Sequence, residues 1–399
     1  MRRDLLVGLD VGTTKICALI VKIKENNFEI VGIGRSSSEG LSKGMIVNIE
    51  EASRGIEEAV RRAEFDAGFK IKQGWASIAG NHIQGVDNRG FFNIPREDKI
   101  ITYKDVEKAL QNASRLTLPS NREIIHTLPQ EFIIDGQSGI KEPIGMSGAY
   151  LGVKAYIVTA SSTYRQNIEN SVRRGGYEVE GVVLQSLASG MATLSPEEED
   201  MGVALIDIGG GTTDVAIFLE EGIRFSCALG VGGNHITNDI AVGLRTTRIN
   251  AEKIKIEYGS ASINSFFEGE DIEVEGIAGR GTYKVKREDL IKIIEMRIEE
   301  IFELVDRELE KSGYKDLITS GIVLTGGCSL LRGIKEKAEE KIGLPVRIGY
   351  PRLKDMDALN NPIYATAVGL ILYGMKEREK ISSKDSLEVR IKEWIKDFF

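Results

Sequence analysis

Two stretches of the chain have almost the same pattern. Val7–Lys15 reads VGLDVGTTK, and Ala204–Asp214, near the middle of the chain, reads ALIDIGGGTTD. Each is an apolar, β-branched run ending in an aspartate and a Gly-Thr turn. Each leads into a second apolar run (KICALIVKI and VAIFL) and then a third (FEIVGIG and GIRFSCALG). Runs of this kind broken by Gly, Thr and Asn are strands joined by tight turns. A chain carrying this unit twice, each copy followed by helix, is expected to form two related α/β lobes.

The turn chemistry narrows what the lobes bind. A Gly-rich turn after a strand often meets phosphate, but no Gly-Lys dipeptide occurs in the chain, so the Walker A loop is absent. G-x-G-x-x-G is absent too, which removes the dinucleotide fingerprint. Both turns run into a strand rather than a helix. Any anion they bind must therefore be held by turn N–H groups, with threonine hydroxyls as further donors. Asp10 and Asp207 end the strands before the turns, where their carboxylates would repel bare phosphate. A cation between them resolves the conflict, and Mg²⁺, which keeps several waters and takes one or two carboxylates plus phosphates, suits two opposed aspartates. Two such hairpins facing across a cleft are predicted to clamp a nucleoside triphosphate from both sides.

Composition is consistent with this and excludes other classes. The 399 residues allow two or more domains. Net charge is −8, so no overall basic footprint for nucleic acid exists. Cys17, Cys227 and Cys328 are odd in number and widely spaced, which fits reduced thiols and neither a disulfide framework nor a metal knuckle. No signal peptide opens the chain, since Asp4 and Asp10 interrupt the apolar run, and no stretch of 18 apolar residues occurs. His82, His126 and His235 are isolated and read as structural.

Further along, Asn48–Gly68 has helical spacing with early glutamates and a Gly stop, and WASIAGNHI reads as a strand. Residues 85–161, with prolines at 95, 119, 129 and 143, read as an inserted subdomain of one helix (YKDVEKALQNASRL) and strands at EFIIDG and YLGVKAYIVTA. The predicted division is a first-lobe core of 1–84 with 162–195 and 365–381, a second-lobe core of 196–226 with 302–364, and a second-lobe outer part of 227–301. KEREKISSKDS gives a charged linker, 376–386, before a terminal segment, 387–399.

Taken together and in order, DVGTTK, LQSLASG, DIGGGTTD, LTGGCSLL and ATAVG resemble the five signatures of the actin, heat-shock-chaperone and sugar-kinase ATPase superfamily. Segments such as SIAGNHIQGVDNRG, SGAYLGVKAYIVTA, GVGGNHITNDIA and NAEKIKIEYG resemble the FtsA family of bacterial cell-division proteins, over residues 5 to 375. The resemblance implies an α/β, actin-like fold with duplicated ribonuclease H-like lobes and an inserted α+β subdomain. It implies ATP and Mg²⁺ as cofactors. Gly12, Thr13, Thr14 and Lys15 would contact phosphates from one lobe, and Gly209, Gly210, Gly211, Thr212 and Thr213 from the other. Asp10 and Asp207 would hold Mg²⁺ largely through water, and Gln185 would orient an attacking water. Gly326, Gly327 and Ser329 would border adenine and Glu252 and Lys253 the ribose and base, while Gly232, Gly233 and Asn234 would either contact the nucleotide or simply turn the chain. Asp207, Asp214 and Gln185 are the only candidate bases in the motifs, so hydrolysis is expected to be slow.

On a helix, LEVRIKEWIKDFF places Leu387, Ile391, Trp394, Ile395 and Phe398 on one face, which suits a helix lying in a membrane interface. A helix docked on the protein's own body is the alternative. The FtsA resemblance implies such a tether, and with it FtsZ, further copies of the chain and later division proteins as partners. It places the protein in the cytoplasm, on the inner face of the membrane at the division septum. Competing readings are a heat-shock-type chaperone, a sugar kinase and a soluble pilus-assembly actin homologue. Only 25 residues follow Gly374, which leaves no room for a chaperone's substrate domain.

Overall fold

The computed structural model describes residues 4–24, 27–263, 271–353 and 357–385. Strands β1 (Leu5–Val11), β2 (Lys15–Lys24) and β3 (Asn27–Ser37) form an antiparallel meander. A small hairpin of β4 (Leu41–Ser42) and β5 (Met45–Ile46) precedes helix α1 (Ile49–Ala67). The ends of α1 follow from its flanks. The Asn48 side chain accepts from the N–H groups of Glu50 and Glu51, and Gly68, at φ 74°, closes the helix in the left-handed region. Its buried stripe of Ala52, Ile56, Ala59, Val60 and Ala63 lies on β2 and β3. Strand β6 (Gln73–Ile78) then pairs in parallel with β1. It ends at Ile78, short of the WASIAGNHI reading, because the chain turns at Gly80, φ 118°.

The insertion comprises β7 (Gln84–Asn93), α2 (Tyr103–Ala113), β8 (Arg122–Ile134), β9 (Gln137–Ile140) and β10 (Tyr150–Ser161). Its sheet runs β7-β10-β8-β9, and α2 packs over it on a separate core that includes Ile101, Val106, Phe132, Leu151 and Val153. Strand β8 begins well before EFIIDG. Pro129 argues against a continuous strand, yet it sits where the β8–β10 register shifts, and that bulge accommodates a residue without an N–H.

The chain returns through α3 (Ser162–Arg174), β11 (Glu178–Leu184), α4 (Gln185–Thr193) and α5 (Pro196–Met201). The second lobe contains β12 (Val203–Ile208), β13 (Thr213–Leu219), β14 (Gly222–Leu229), α6 (Gly233–Gly243), α7 (Arg248–Tyr258), β15 (Asp271–Glu275) and β16 (Thr282–Lys286). It continues with α8 (Arg287–Ser312), β17 (Ile322–Thr325), α9 (Ile334–Ile342) and β18 (Val346–Ile348). The two main sheets are β11-β6-β1-β2-β3 and β14-β13-β12-β17-β18. Numbering only the strands of each sheet in chain order, each sheet runs third, second, first, fourth, fifth from one edge, with the first three antiparallel and the rest parallel. The duplicated turn therefore belongs to a duplicated topology.

Helix α10 (Ala365–Asp385) returns to the first lobe and packs on β1 and α4. It continues through Asp385, so the segment read as a linker, 376–386, is helical over its described residues, 376–385. The predicted membrane-facing residues Leu387, Ile391, Trp394, Ile395 and Phe398 lie outside the described residues. Among the described residues no helix is long and apolar enough to cross a membrane.

Candidate functional site

Each lobe presents its aspartate at the end of its first strand. Asp10 stands at the end of β1 and Asp207 at the end of β12, both buried. The turns that follow meet across the cleft. A Cβ on Gly210 would fall 1.6 Å from Thr14 Oγ1, and one on Gly211 would fall 2.5 Å from Thr13 Oγ1, so only glycine allows this approach. The Thr14 hydroxyl donates to Asn234 Oδ1 at 3.4 Å, and the N–H of Asn234 donates to the Gly210 carbonyl at 2.7 Å. After β17, Gly326 has φ 81° and a Cβ there would sit 2.3 Å from Asp207 Oδ1.

Between the turns lies a cavity of about 450 Å³. Asp10, Gly12, Thr13, Thr14, Lys15, Gln185, Asp207, Gly209, Gly210, Gly211 and Thr212 line it, together with Gly233, Asn234, Glu252, Gly326 and Gly327. Three other sequence-predicted residues support its walls. Thr213 is fully buried and donates to the Val231 carbonyl at 2.9 Å. Ser329 donates to the Gly326 carbonyl at 2.7 Å, and Gly232 packs against the carbonyl of Gly209. Lys253 is exposed and outside the lining. Lys255 takes its place, donating to Glu252 Oε2 at 2.7 Å, Thr237 Oγ1 at 2.9 Å and the Gly233 carbonyl at 3.2 Å. Residues three apart on a helix share a face and adjacent ones do not, so Glu252 selects Lys255 rather than its neighbour.

Two further residues escaped the sequence reading. Ser189 donates to Asp207 Oδ2 at 2.6 Å, and the Thr366 hydroxyl, from α10, lies 3.0 Å from the Ser189 hydroxyl and 3.5 Å from Asp207 Oδ2. Gln185 opens α4 and donates to the same carboxylate at 3.3 Å. Ser189 was accessible in principle, since it lies one turn beyond Gln185. The histidines are structural. His126 Nε2 accepts the Leu184 N–H at 3.0 Å, His235 Nδ1 accepts the Gly232 N–H at 3.2 Å, and His82 stacks on Tyr164.

The electrostatics favour a bound cation. Burial raises Asp10 above the usual carboxylate range, Lys15 opposes that, and the Asp207 charge adds to it. Burial likewise raises Asp207, against the hydrogen bonds from Ser189 and Gln185. Asp214 pairs directly opposite Asp207 in the β12–β13 ladder, and burial, reinforced by that charge, pushes it up to about 8. The Lys15 ammonium lies 3.7 Å from Asp10 and donates to the Ile363 carbonyl. A divalent ion between Asp10 and Asp207 would favour their ionised forms against this burial and mutual repulsion, so the donors fit Mg²⁺. Among the described residues no three metal-ligating side chains converge tightly enough to hold an ion directly, which leaves water as the remaining ligand.

Residues 204–369 match the family model described as cell division protein FtsA, and residues 80–159 match that of the SHS2 domain inserted in FtsA. The chain is 43% identical to cell division protein FtsA of Pseudomonas aeruginosa over 94% of its own length and 90% of the relative's. It is 35% identical to that of Bacillus subtilis, over 94% and 84% of the two chains. Among solved structures it resembles the PilM–PilN type IV pilus biogenesis complex (TM-score 0.66, 17% identity, 94% and 99% of the two chains). It also resembles MreB5 of Spiroplasma citri bound to ADP (TM-score 0.59, 17% identity, 95% and 99%). These structural likenesses make the fold actin-like, and the sequence identity goes further: the chain belongs to the FtsA family of cell division proteins.

Proposed function

We propose that this protein binds Mg-ATP between its lobes, self-associates, and tethers FtsZ filaments to the cytoplasmic membrane through its terminal segment. The observation that carries the nucleotide reading is the apposition of two glycine-threonine turns, each behind a buried aspartate, around one cavity. Gly12 to Lys15 and Gly209 to Thr212 would hold the phosphates, Glu252 and Lys255 the ribose and base, and Gly326 and Gly327 the adenine. Asp10 and Asp207 would hold Mg²⁺, which neutralises phosphate charge when bound. Gln185, hydrogen-bonded to Asp207, would orient a water, and with no histidine lining the cavity hydrolysis would be slow. Family membership supports FtsZ, later division proteins and further copies of the chain as partners.

The tether rests on the apolar face of Leu387, Ile391, Trp394, Ile395 and Phe398. In the same thirteen residues Arg390, Lys392 and Lys396 are balanced by Glu388, Glu393 and Asp397, so attraction to anionic lipid is weak. Apolar burial must then supply most of the affinity, with polymer avidity adding to it. Electron microscopy on anionic lipid monolayers with Mg-ATP tests the reading. Filaments on lipid for the wild type, and none recruited for Trp394→Glu, are expected. Nucleotide binding without lipid recruitment would refute the tether and favour a soluble actin homologue of the pilus-assembly kind.

A further inference from the structure

The β4–β5 hairpin has no assigned part in the site, yet its tip spans both phosphate turns. The Gly44 N–H donates to Thr13 Oγ1 at 3.0 Å in the first lobe. Gly44 has φ 76°, and a Cβ there would lie 3.1 Å from Thr212 Cγ2 in the second lobe, so the tip packs against both turns. Because Thr13 accepts from the hairpin, its one hydroxyl proton is left to donate elsewhere.

Lys43 sits at the same tip in the left-handed region, φ 49°, where a non-glycine residue is uncommon. Its stem crosses the cleft: the Cδ lies 3.4 Å from where a Cβ on Gly230 would be. Gly233 and Asn234, a few residues on, line the cavity. Burial lowers His235 below the usual imidazole range, and the charges of Arg297 and Lys43 push the same way. Lys43 is exposed, with no carboxylate paired to it among the described residues. Two of the cations that line the cavity differ in this respect, since Lys15 faces Asp10 and Lys255 faces Glu252, while Arg332 is the third cation in the lining.

We propose that the β4–β5 hairpin is a cross-cleft clasp for the terminal phosphate, with Lys43 as the cation that discriminates triphosphate from diphosphate. The proposal rests on the nucleotide reading above. A triphosphate adds charge at the end of the chain, where the hairpin tip lies, and a diphosphate stops short of it. Lys43 is a positioning and specificity residue in this scheme, with Thr13 held to donate by Gly44.

Calorimetric titration of the full chain with Mg-ATP and with Mg-ADP tests it, on wild type, Lys43→Gln and Lys43→Arg. Glutamine keeps most of the stem and removes the charge. Loss of one partly solvated charge pair predicts about tenfold weaker ATP binding for Lys43→Gln. ADP binding should stay unchanged, and Lys43→Arg should restore the ATP preference. Equal weakening of both nucleotides, or of neither, overturns the clasp while leaving the nucleotide site standing. A wild type that binds neither nucleotide overturns the nucleotide reading itself, and the clasp with it.

Discussion

Helices α4 and α10 cross at Gly369, where replacing glycine by alanine sets two effects of opposite sign against each other. Alanine in a helix interior is favoured over glycine by about 1 kcal/mol, so propensity alone predicts a more stable protein. The structure predicts the reverse. A Cβ on Gly369 would lie 1.8 Å from the Ala188 carbonyl oxygen and 2.3 Å from its carbon, backbone atoms that no rotamer change can move. The helices must separate, at an overpacking cost of roughly 1–3 kcal/mol. Separation also stretches the Thr366–Ser189 contact of 3.0 Å and the Ser189–Asp207 bond of 2.6 Å. Two hydrogen bonds contribute about 2 kcal/mol together, leaving Gly369→Ala a net loss of about 2–4 kcal/mol. Trp75 packs edge-on to Tyr373 of α10 at 5.2 Å and is one of two tryptophans, so in a Trp394→Phe background its fluorescence reports on this helix alone. The urea midpoint of Gly369→Ala should fall well below that of its parent, and nucleotide affinity should fall too, because Asp207 loses its support. A midpoint at or above the parent's would refute the packing argument.

Two other substitutions test the site and its surroundings. Lys255→Ala is expected to weaken nucleotide binding about tenfold and Lys253→Ala to leave it unchanged, since one lysine lines the cavity and its neighbour faces solvent; equal effects in the same titration would contradict the assignment. Burial lowers His82 to about 4 from 6.5, so the unfolded chain binds more protons between those values. The stability His82 contributes is then complete above pH 6.5 and lost as pH falls toward 4, by up to about 3 kcal/mol. Urea unfolding at pH 5 and 7.5 should show His82→Phe, which keeps a ring against Tyr164, with a shallower acid loss than wild type, and parallel losses would count against it.

Local features were readable from the sequence because local chemistry sets them. Asn48 and Gly68 bound α1 by satisfying helix-end groups, and the paired turns announce a duplicated strand unit by their letters alone. Other features were not readable, because distant segments decide them. Pro129 marks a strand break until β10 supplies the bulge that accepts it. Lys253 and Lys255 are equivalent as letters, and only the face that α7 turns toward the cleft separates them. The charged run after Gly374 has the composition of a linker, yet α10 runs on to Asp385. The sequence by itself determined two lobes, two aspartates and two glycine-threonine turns. The tertiary structure alone decided that Ser189 and Thr366 hold Asp207 and that Gly44 and Lys43 reach across the cleft. Those contacts join residues far apart in the chain, and their geometry comes from how sheets and helices pack rather than from any local pattern.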